Sequence, residues 1–496
     1  MIRRVCVFLA FLFVPLAGVG GQERALPSIP QRLTLDEAVE LAIRFNPSYL
    51  QFLNDRAPAR WGVRSAYGEF IPSLSASAGA GYSGSGAQTF AAQQFNQPSS
   101  TISSNYSIGL NWQLSGTTLM QPGIRKAQFN AAVASETSSR VTLRSFVAQQ
   151  YLAVLQAGEG VSLADAQLKR SDEAYRLAKA KFDVGQGTIL EVRQAEVARG
   201  QAEVGLLQAK NSVTVEKLRL FQQLGVPAPD DPSVVSLPDT FPIVQPTWEL
   251  SGLLSSAQNE NPDLAALRAQ AGAARASERA AKSSWFPSLS FSAGWSGFTQ
   301  QYTNGEFLVT AAQQDANNTF QACQIQNQIN VVASIPALNC ALFTISPAQE
   351  QAIRDRNSKF PFSFTKQPFS ARFTVTLPLF DQFSRPAQVS SATAQTDDAL
   401  LRIRARELQV RTEVSQAYYV LQTSYQTVQL QQNNRTAGQE QLRLATERYR
   451  VGSGTFFELL DAQLVAQRAE ADYIRAIYDY HKAIAVLESA VGRSLR

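Results

Sequence analysis

The chain has 496 residues, a formal net charge of +5, one histidine and three cysteines. So small an excess of positive charge argues against a nucleic-acid-binding protein, which concentrates lysine and arginine on one face. With so few histidines and cysteines, a metal site or catalytic nucleophile built on these residues is not expected. His481 is interpreted as an ordinary helix-surface residue. Because no nucleophile elbow, zinc motif or phosphate loop occurs, we expect neither an enzyme nor a cofactor.

Residues 1–21 are predicted to be a secretory signal peptide. Two basic residues, Arg3 and Arg4, precede an apolar run from Val5 to about Ala17, and small residues suited to cleavage follow. An uncleaved anchor is the alternative, but a spanning helix needs about 20 apolar residues. An exported chain without spanning helices is either soluble or meets a membrane as a β-barrel.

The rest of the chain contains one pattern twice, which predicts two structural repeats. Two pairs of segments match at an offset of about 215 residues: Leu33–Pro47 with Trp248–Pro262, and Phe70–Ser83 with Trp285–Gly297. The first repeat is assigned to residues 22–225 and the second to residues 248–496. Between them, residues 226–247 contain six prolines and predict a linker, because proline interrupts regular helices.

Each repeat predicts the same order of elements. A helical segment comes first, near Thr34–Gly68 in the first repeat, and two alternating strands follow. A very long helix is then predicted at Ile124–Phe182 and again at Ala387–Tyr449. A Val-Gly-x-Gly-Thr phrase interrupts this helix, and a helix of about forty residues closes the repeat. A seven-residue apolar spacing typical of coiled coils is formed by Val410, Val414, Ala417, Leu421 and Val428.

Four segments alternate apolar residues with small or polar ones, which predicts β-strands. They are Ser73–Tyr82, Tyr106–Leu114, Ser288–Trp295 and Ser370–Leu379. Each has about ten residues, enough for a tilted strand to cross a bilayer, and aromatic residues cluster near the strand ends. An exposed sheet packed on soluble helices is the alternative. The signal peptide and the four matching lengths favour a membrane.

The number of strands predicts a homotrimer. Four strands cannot close a barrel, and single-chain barrels begin at about eight strands. Two copies would make an eight-stranded barrel that is filled by its own side chains. Three copies give twelve strands, and the serine, glycine, threonine and asparagine faces then suit a water-filled lumen.

The second repeat is longer than the first by about 52 residues, most of them in a polar insertion at about 298–369. We expect this insertion to be extracellular, because the equivalent loop of the first repeat, Gly84–Asn105, has only about 22 residues. Cys323 and Cys340 lie inside the insertion. In an oxidising compartment they form a possible disulfide, and two free thiols are the alternative.

These segments, in this order, resemble the outer membrane efflux family, the TolC-like exit ducts of Gram-negative bacteria. The resemblance covers essentially all of the mature chain. It rests on "LTLDEAVELAIRFNP", the entries "FIPSLSASAG" and "WFPSLSFSAG", "LPLFD" at Leu377–Asp381 and both Val-Gly-x-Gly-Thr phrases.

The resemblance implies a mainly α fold with a β-barrel part. It also implies a trimer with a 12-stranded outer-membrane β-barrel, to which each chain contributes four strands. This β-barrel is continuous with a long periplasmic α-helical coiled-coil barrel. The linker at 226–247 then belongs to the equatorial region of the duct. The family also implies a periplasmic adaptor (membrane fusion) protein, an inner-membrane pump or exporter, and outer-membrane lipid as partners. A soluble periplasmic coiled-coil adaptor or scaffold is the alternative, but it would not need the four strands.

In the family, the Val-Gly-x-Gly-Thr phrase is the turn between two helices at the periplasmic tip, where the adaptor docks. The resemblance assigns this position to Val184, Gly185, Gly187 and Thr188, and to Val451, Gly452, Gly454 and Thr455. Each phrase is followed by a glutamate, so Thr188 with Glu191 and Thr455 with Glu458 predict two capping boxes.

In the family, two acids after the second phrase line the constriction, and Glu458 and Asp461 match them. Glu458 is already explained as a cap, so Asp461, whose counterpart is Gln194, is the better gate candidate. Three inward carboxylates in a trimer would attract cations.

The closed state of the family is held by a network around a tip tyrosine and an arginine. Tyr449 and Glu191 fit two of its positions, whereas Gly454 stands where the arginine would be.

Overall fold

A computed structural model describes residues 29–90, 93–97, 99–333, 335–365 and 367–495. The predicted signal peptide, residues 1–21, lies outside them. Within these ranges no helix is both long enough and apolar enough to cross a membrane.

The chain divides into two compact units. The helical unit comprises the described residues of Met1–Ala59, Gln128–Gly272 and Asp397–Arg496. The sheet unit comprises Arg60–Ala127 and Ala273–Thr396.

The first half of the chain contains five α-helices and four strands among its described residues. In chain order these are α1 (Leu35–Phe45), α2 (Pro47–Asn54), α3 (Arg56–Gly68), β1 (Ser73–Ser83), β2 (Gly86–Phe90), β3 (Gln93–Gln97), β4 (Thr101–Leu114), α4 (Gly116–Asp183) and α5 (Ile189–Leu224). The second half follows a similar order with an added helical insertion. Its elements are α6 (Leu250–Glu260), α7 (Pro262–Ser283), β5 (Ser288–Tyr302), α8 (Glu306–Val332), α9 (Pro347–Asn357), β6 (Ser370–Thr376), α10 (Ser384–Arg450) and α11 (Phe456–Val491).

The two long helices are confirmed, although α4 begins earlier than predicted. It starts at Gly116 rather than Ile124 and runs through Pro122. The predicted start was too late because the helix is capped upstream, by Ser115. The Ser115 hydroxyl accepts the backbone N–H of Thr118 at 3.1 Å. At 1.5 Å per residue, the 68 residues of α4 span roughly 100 Å.

Four strands form one antiparallel sheet in the order β1-β4-β5-β6, and β2 and β3 form a separate hairpin. Strands β4 and β5 are longer than predicted, whereas β6 is shorter. It ends at Thr376, so Leu377 and Leu379 lie outside it. Pro378, which has no backbone N–H to donate to a ladder, explains the early end.

The predicted coiled-coil positions form the centre of one apolar core in the helical unit. Val410, Val414, Ala417, Leu421 and Val428 are all buried there, together with residues of α6, α7 and α11. The interpretation of His481 as a surface residue was wrong. Its side chain is 2% exposed because the ring packs between aromatic neighbours, with centroids 5.6 Å from Phe241 and 5.1 Å from Tyr480.

The linker at 226–247 contains no α-helix, as the prolines predict, but it is tied to the helical unit. A 3-10 turn lies at Pro232–Val234. Val226 and Val235 belong to a second apolar core, which also contains residues of α1, α4 and α5. The hydroxyl of Tyr480 donates to the carbonyl of Val244.

The insertion is built around two helices, α8 and α9, rather than an irregular loop. Arg354 of α9 donates to both carboxylate oxygens of Glu306 in α8, at 2.8 and 3.1 Å. Cys323 and Cys340 are joined by a disulfide, with Cα atoms 5.7 Å apart. Asn327 adds two hydrogen bonds to the backbone of Leu338, at 2.7 and 2.8 Å.

Candidate functional site: the two interhelical tips

The first Val-Gly-x-Gly-Thr phrase forms the turn between α4 and α5. Gly185 has φ +75°, in the left-handed region that favours glycine. Its N–H donates to the carbonyl of Phe182 at 2.9 Å, and the N–H of Gln186 donates to that of Lys181 at 2.7 Å. This pair of bonds defines a Schellman motif, which satisfies the last carbonyls of α4.

The second phrase makes the same turn between α10 and α11. Gly452 has φ +82°. The N–H of Gly452 donates to Tyr449 at 3.2 Å, and the N–H of Ser453 donates to Arg448 at 2.9 Å. The predicted turns are therefore present, and both contain the same pair of Schellman bonds. The second turn adds a bond from the N–H of Gly454 to the carbonyl of Arg448 at 3.0 Å.

The second glycine of each phrase is needed for a different reason. Gly187 and Gly454 do not have positive φ, but a Cβ on either would be crowded by the helix that has just ended. It would lie 3.1 Å from Cβ of Lys181 in the first turn and 3.0 Å from Cβ of Arg448 in the second. Glycine allows this close approach.

The predicted capping boxes are only half formed. The hydroxyl of Thr188 accepts the N–H of Glu191 at 3.3 Å, and that of Thr455 accepts the N–H of Glu458 at 3.2 Å. No return bond from either glutamate to its cap is present in the described part of the chain, in contrast to the complete box of Thr34. Both carboxylates instead have partners that hold them elsewhere.

Glu191 is held by Tyr449, which joins the two helical hairpins of one chain. The Tyr449 hydroxyl donates to the Glu191 carboxylate at 3.2 Å. The ring of Tyr449 is buried against Phe456, with centroids 5.4 Å apart. Burial, and then the negative charge of Glu191, raise the pKa of the Tyr449 phenol. The hydroxyl therefore keeps its proton and donates to the carboxylate.

Lys181 is a tip residue that sequence reasoning missed. Its ammonium lies 4.2 Å from the centroid of the Tyr449 ring and donates to the Tyr449 backbone carbonyl. Lys181 and Arg448 occupy matching positions, each four residues before a left-handed glycine. The two basic residues at matching positions could have indicated in the sequence that both belong to the tips. Only Lys181, however, contacts the other hairpin.

Arg448 stays within its own hairpin. Its guanidinium lies 3.5 Å from the carboxylate of Glu458, and both side chains are about half exposed. An exposed pair of this kind contributes little to stability. Glu458 is thus engaged by a local cation rather than by the cap that the sequence predicted.

Asp461 lies almost one turn further along α11 and differs from Glu458. Its side chain is exposed, and within the described ranges it has neither an ion pair nor a side-chain hydrogen bond. The matching residue on α5, Gln194, is exposed as well. Of the two candidate gate acids, Asp461 is the one whose charge has no partner among the described residues of its own chain.

A model of the outer membrane efflux protein family matches residues 39–226 and 321–493. The chain belongs to the outer membrane efflux protein family. Its place is therefore the outer membrane, with a periplasmic part, and its family consists of efflux channels rather than enzymes.

Individual relatives are distant. Nodulation protein T of Rhizobium leguminosarum bv. trifolii is 23% identical over 417 residues, which cover 82% of this chain and 76% of that protein. Outer membrane efflux protein BepC of Brucella suis biovar 1 is 23% identical, over 69% of this chain and 61% of BepC. The CmeC outer membrane channel of Campylobacter jejuni shares the fold, with a TM-score of 0.68 at 15% identity, over 92% of this chain and 85% of CmeC.

Proposed function

We propose that three copies of this chain form the outer-membrane exit duct of a tripartite efflux or type I secretion system. The observation that carries the proposal is the open sheet of the sheet unit. Its outer strands, β1 and β6, each lack a second neighbour among the described strands. Open edges of this kind are normally paired or covered.

The two faces of the sheet differ in character where all four strands pair. One row across the four strands is apolar: Leu74, Leu110, Ala293 and Ala371. The adjacent row, on the opposite face, is polar: Ser73, Asn111, Ser292 and Arg372. Large apolar side chains are exposed on the first face, with Leu74 at 73% and Phe373 at 60%.

A trimer would account both for the unpaired outer strands and for the different character of the two faces. Pairing β6 of one copy with β1 of the next closes twelve strands, places the apolar face against outer-membrane lipid and turns the polar face to a lumen. In this proposal the long helices make the periplasmic α-helical barrel, residues 22–225 and 248–496 act as two repeats, and residues 226–247 lie at its equator. The insertion at 298–369 is extracellular, and its disulfide keeps it compact outside the cell.

The tips are proposed to be the docking surface for the periplasmic adaptor. The residues involved are Val184, Gly185, Gly187, Thr188, Val451, Gly452, Gly454 and Thr455. In the trimer six such turns would ring the periplasmic mouth. Substrates would pass through it from the adaptor and the inner-membrane pump to the exterior.

The gate is proposed to combine two parts. Tyr449, held by Glu191 and Lys181, keeps the two hairpins of one chain together. Three Asp461 carboxylates, supplied by the three copies, would form a ring that prefers cations. Glu458 contributes less, because Arg448 lies beside it.

Purification of the full chain in mild detergent tests the assembly. We expect the protein in the outer-membrane fraction, with the mass of a trimer by light scattering, and ion conductance in planar bilayers. A monomer or dimer would overturn the trimer. Recovery of the chain in the soluble fraction would instead support the periplasmic adaptor or scaffold.

A further inference from the structure

The four-stranded sheet carries a single charged side chain. Among the residues of β1, β4, β5 and β6, Arg372 is the only aspartate, glutamate, lysine or arginine. A polar sheet face can be built entirely from serine, threonine, asparagine and glutamine, as the other three strands show. The charge at Arg372 is therefore a specific feature of β6 rather than a property of the sheet.

Arg372 lies on the polar face of the sheet, on the outer strand β6. Its strand partner is Ser292, whose own partner on β4 is Asn111. With Ser290, Gln113 and Thr374 it lines a space of about 760 Å³ over this face. These neighbours on the polar face are neutral groups, which can hydrogen-bond to the guanidinium but cannot neutralise it.

Within the described ranges, no carboxylate oxygen lies within 4.0 Å of the Arg372 guanidinium. Glu69, at the end of α3, lines the same space but lies beyond that distance. Two other arginines of the sheet unit, by contrast, are paired: Arg385 with Asp381 at 2.8 Å, and Arg354 with Glu306 at 2.8 Å. An exposed and unpaired arginine in a neutral sheet is available to a ligand.

We propose that Arg372 is a selectivity-determining residue that attracts anionic groups, carboxylates above all, into the lumen of the barrel. This inference rests on the proposed trimer with its polar face inward. Three copies would then place three guanidinium groups in one ring. Guanidinium binds carboxylate through two parallel hydrogen bonds, so the ring favours carboxylate-bearing solutes over cations of the same size.

The dimensions make the ring effective. Twelve strands about 4.8 Å apart, tilted by about 40°, give a backbone radius of about 12 Å. An arginine side chain covers about half of that distance, so its charge lies within one Debye length, about 10 Å at 0.1 M salt, of the lumen axis. A solute on the axis therefore feels all three charges at low ionic strength and almost none at 1 M, where the Debye length is about 3 Å.

With the Arg372 ring, the duct would contain two charged rings of opposite ion selectivity. The proposed Asp461 ring at the periplasmic end prefers cations, and the Arg372 ring inside the barrel prefers anions. The net selectivity of the open duct is then a balance between the two, and removal of one charge exposes the other.

Reversal potentials in planar bilayers test the inference on the full chain. Arg372→Gln should raise the permeability ratio of K⁺ to Cl⁻ at least about threefold in about 0.1 M KCl, and the difference should disappear in about 1 M KCl. Arg372→Lys should keep the ratio of the unmodified protein. The matched control is Arg356→Gln, which removes an exposed arginine of α9 outside the sheet and should change nothing.

Citrate, a tricarboxylate, provides a second readout. Added to the bath, it should block the unmodified channel transiently and leave Arg372→Gln unblocked. If Arg372→Gln forms trimers of normal conductance with unchanged selectivity and unchanged citrate block, the Arg372 ring is refuted and the proposed duct stands. If the unmodified chain forms neither trimer nor channel, the proposed function falls and the ring falls with it.

Discussion

The two tips of this chain have the same type of turn but different side-chain connections. Both turns are Schellman motifs with a left-handed glycine, and both use a threonine cap. Yet Lys181 of the first tip contacts the other hairpin, whereas Arg448 of the second pairs within its own. The repeated phrase thus specifies where the chain reverses. The residues just outside the phrase specify what each hairpin touches.

The two tips also differ in how deeply their matching aromatic residues are buried. Tyr449, in the second tip, is 3% exposed and lies in the apolar cluster between the hairpins. Phe182, at the matching position of the first tip, is 41% exposed. The second tip therefore contributes the packed side chain, and the first tip contributes the two charged groups that hold it.

The largest effect is expected for Tyr449→Ala. Loss of a buried aromatic ring costs about 3 kcal/mol or more in packing, so the contact between the hairpins should open. Hydrogen exchange of the amides in the last turn of α10 measures this, and bilayer recordings should show longer openings. Phe182→Ala is the matched control and should cost about 1 kcal/mol or less, because its ring is largely exposed. Equal effects of the two changes would remove the asymmetry between the tips.

Tyr449→Phe keeps the ring and removes the hydrogen bond to Glu191, at a cost of about 1.5–3 kcal/mol for a bond to a charged group. Because the pKa of Tyr449 is raised in the folded protein, its contribution is complete below the ordinary tyrosine pKa of about 10 and is lost as the pH rises above that value. Amide protection at the tip should therefore be flat from about pH 6 to 9 and fall above about pH 10. A fall of the same size in Tyr449→Phe would exclude this tyrosine as its cause.

Local periodicity was sufficient to predict much of the fold. The seven-residue spacing of Val410 and Val414 predicts burial whatever the packing partner is, and these residues are buried. Alternation predicted β1 correctly, since consecutive strand residues must face opposite sides. The glycine phrase predicted both turns, because few other residues tolerate the left-handed conformation.

Some of the errors and omissions have non-local causes. The contact of Lys181 with Tyr449 joins residues 268 positions apart, and no pattern within one hairpin specifies it. The first capping box is half formed for the same reason, since Glu191 accepts a hydrogen bond from Tyr449 of the other hairpin. The second is half formed for a local reason, since Glu458 pairs with Arg448. The end of β6 at Thr376 was missed because alternation continues through Leu379.

Asp461→Ala tests whether the two tips also differ at Asp461 of α11 and the matching Gln194 of α5. If three Asp461 carboxylates form the cation-preferring ring, the change should lower cation selectivity several-fold and weaken block by polyvalent cations, while the trimer still assembles. Gln194→Ala removes an uncharged side chain at the matching site and should leave both unchanged. Glu458→Ala should cost no more than about 0.5 kcal/mol, since its partner Arg448 is exposed. Unchanged selectivity in Asp461→Ala would make Asp461 a helix-end charge only.

Gly185→Ala and Gly452→Ala test the claim that the two turns are the same. Apart from the adjacent residues, no described part of the chain comes within 4 Å of a Cβ at either glycine. Only the left-handed backbone therefore opposes alanine, at about 1 kcal/mol. We expect equal costs at the two tips, intact trimers and reduced crosslinking to the adaptor. A cost that differs clearly between the tips, or unchanged adaptor crosslinking, would count against equal turns or against the docking surface.

The smallest and most specific effect separates Lys181 from Arg448. Lys181→Met removes a cation–π contact and a donor to the Tyr449 carbonyl, and it should cost about 1 kcal/mol. Arg448→Met removes an exposed ion pair and should cost close to zero. Because Lys181 acts across hairpins, its loss should raise hydrogen exchange at the end of α10, in the other hairpin. A double-mutant cycle with Tyr449→Ala isolates the contact: we expect about 1 kcal/mol of coupling for Lys181 and none for Arg448. The opposite outcome is that Arg448→Met raises hydrogen exchange at the end of α10 as much as Lys181→Met, or that both residues show equal coupling to Tyr449. Either result would mean that the two basic residues have the same role and that the tips do not differ in this respect.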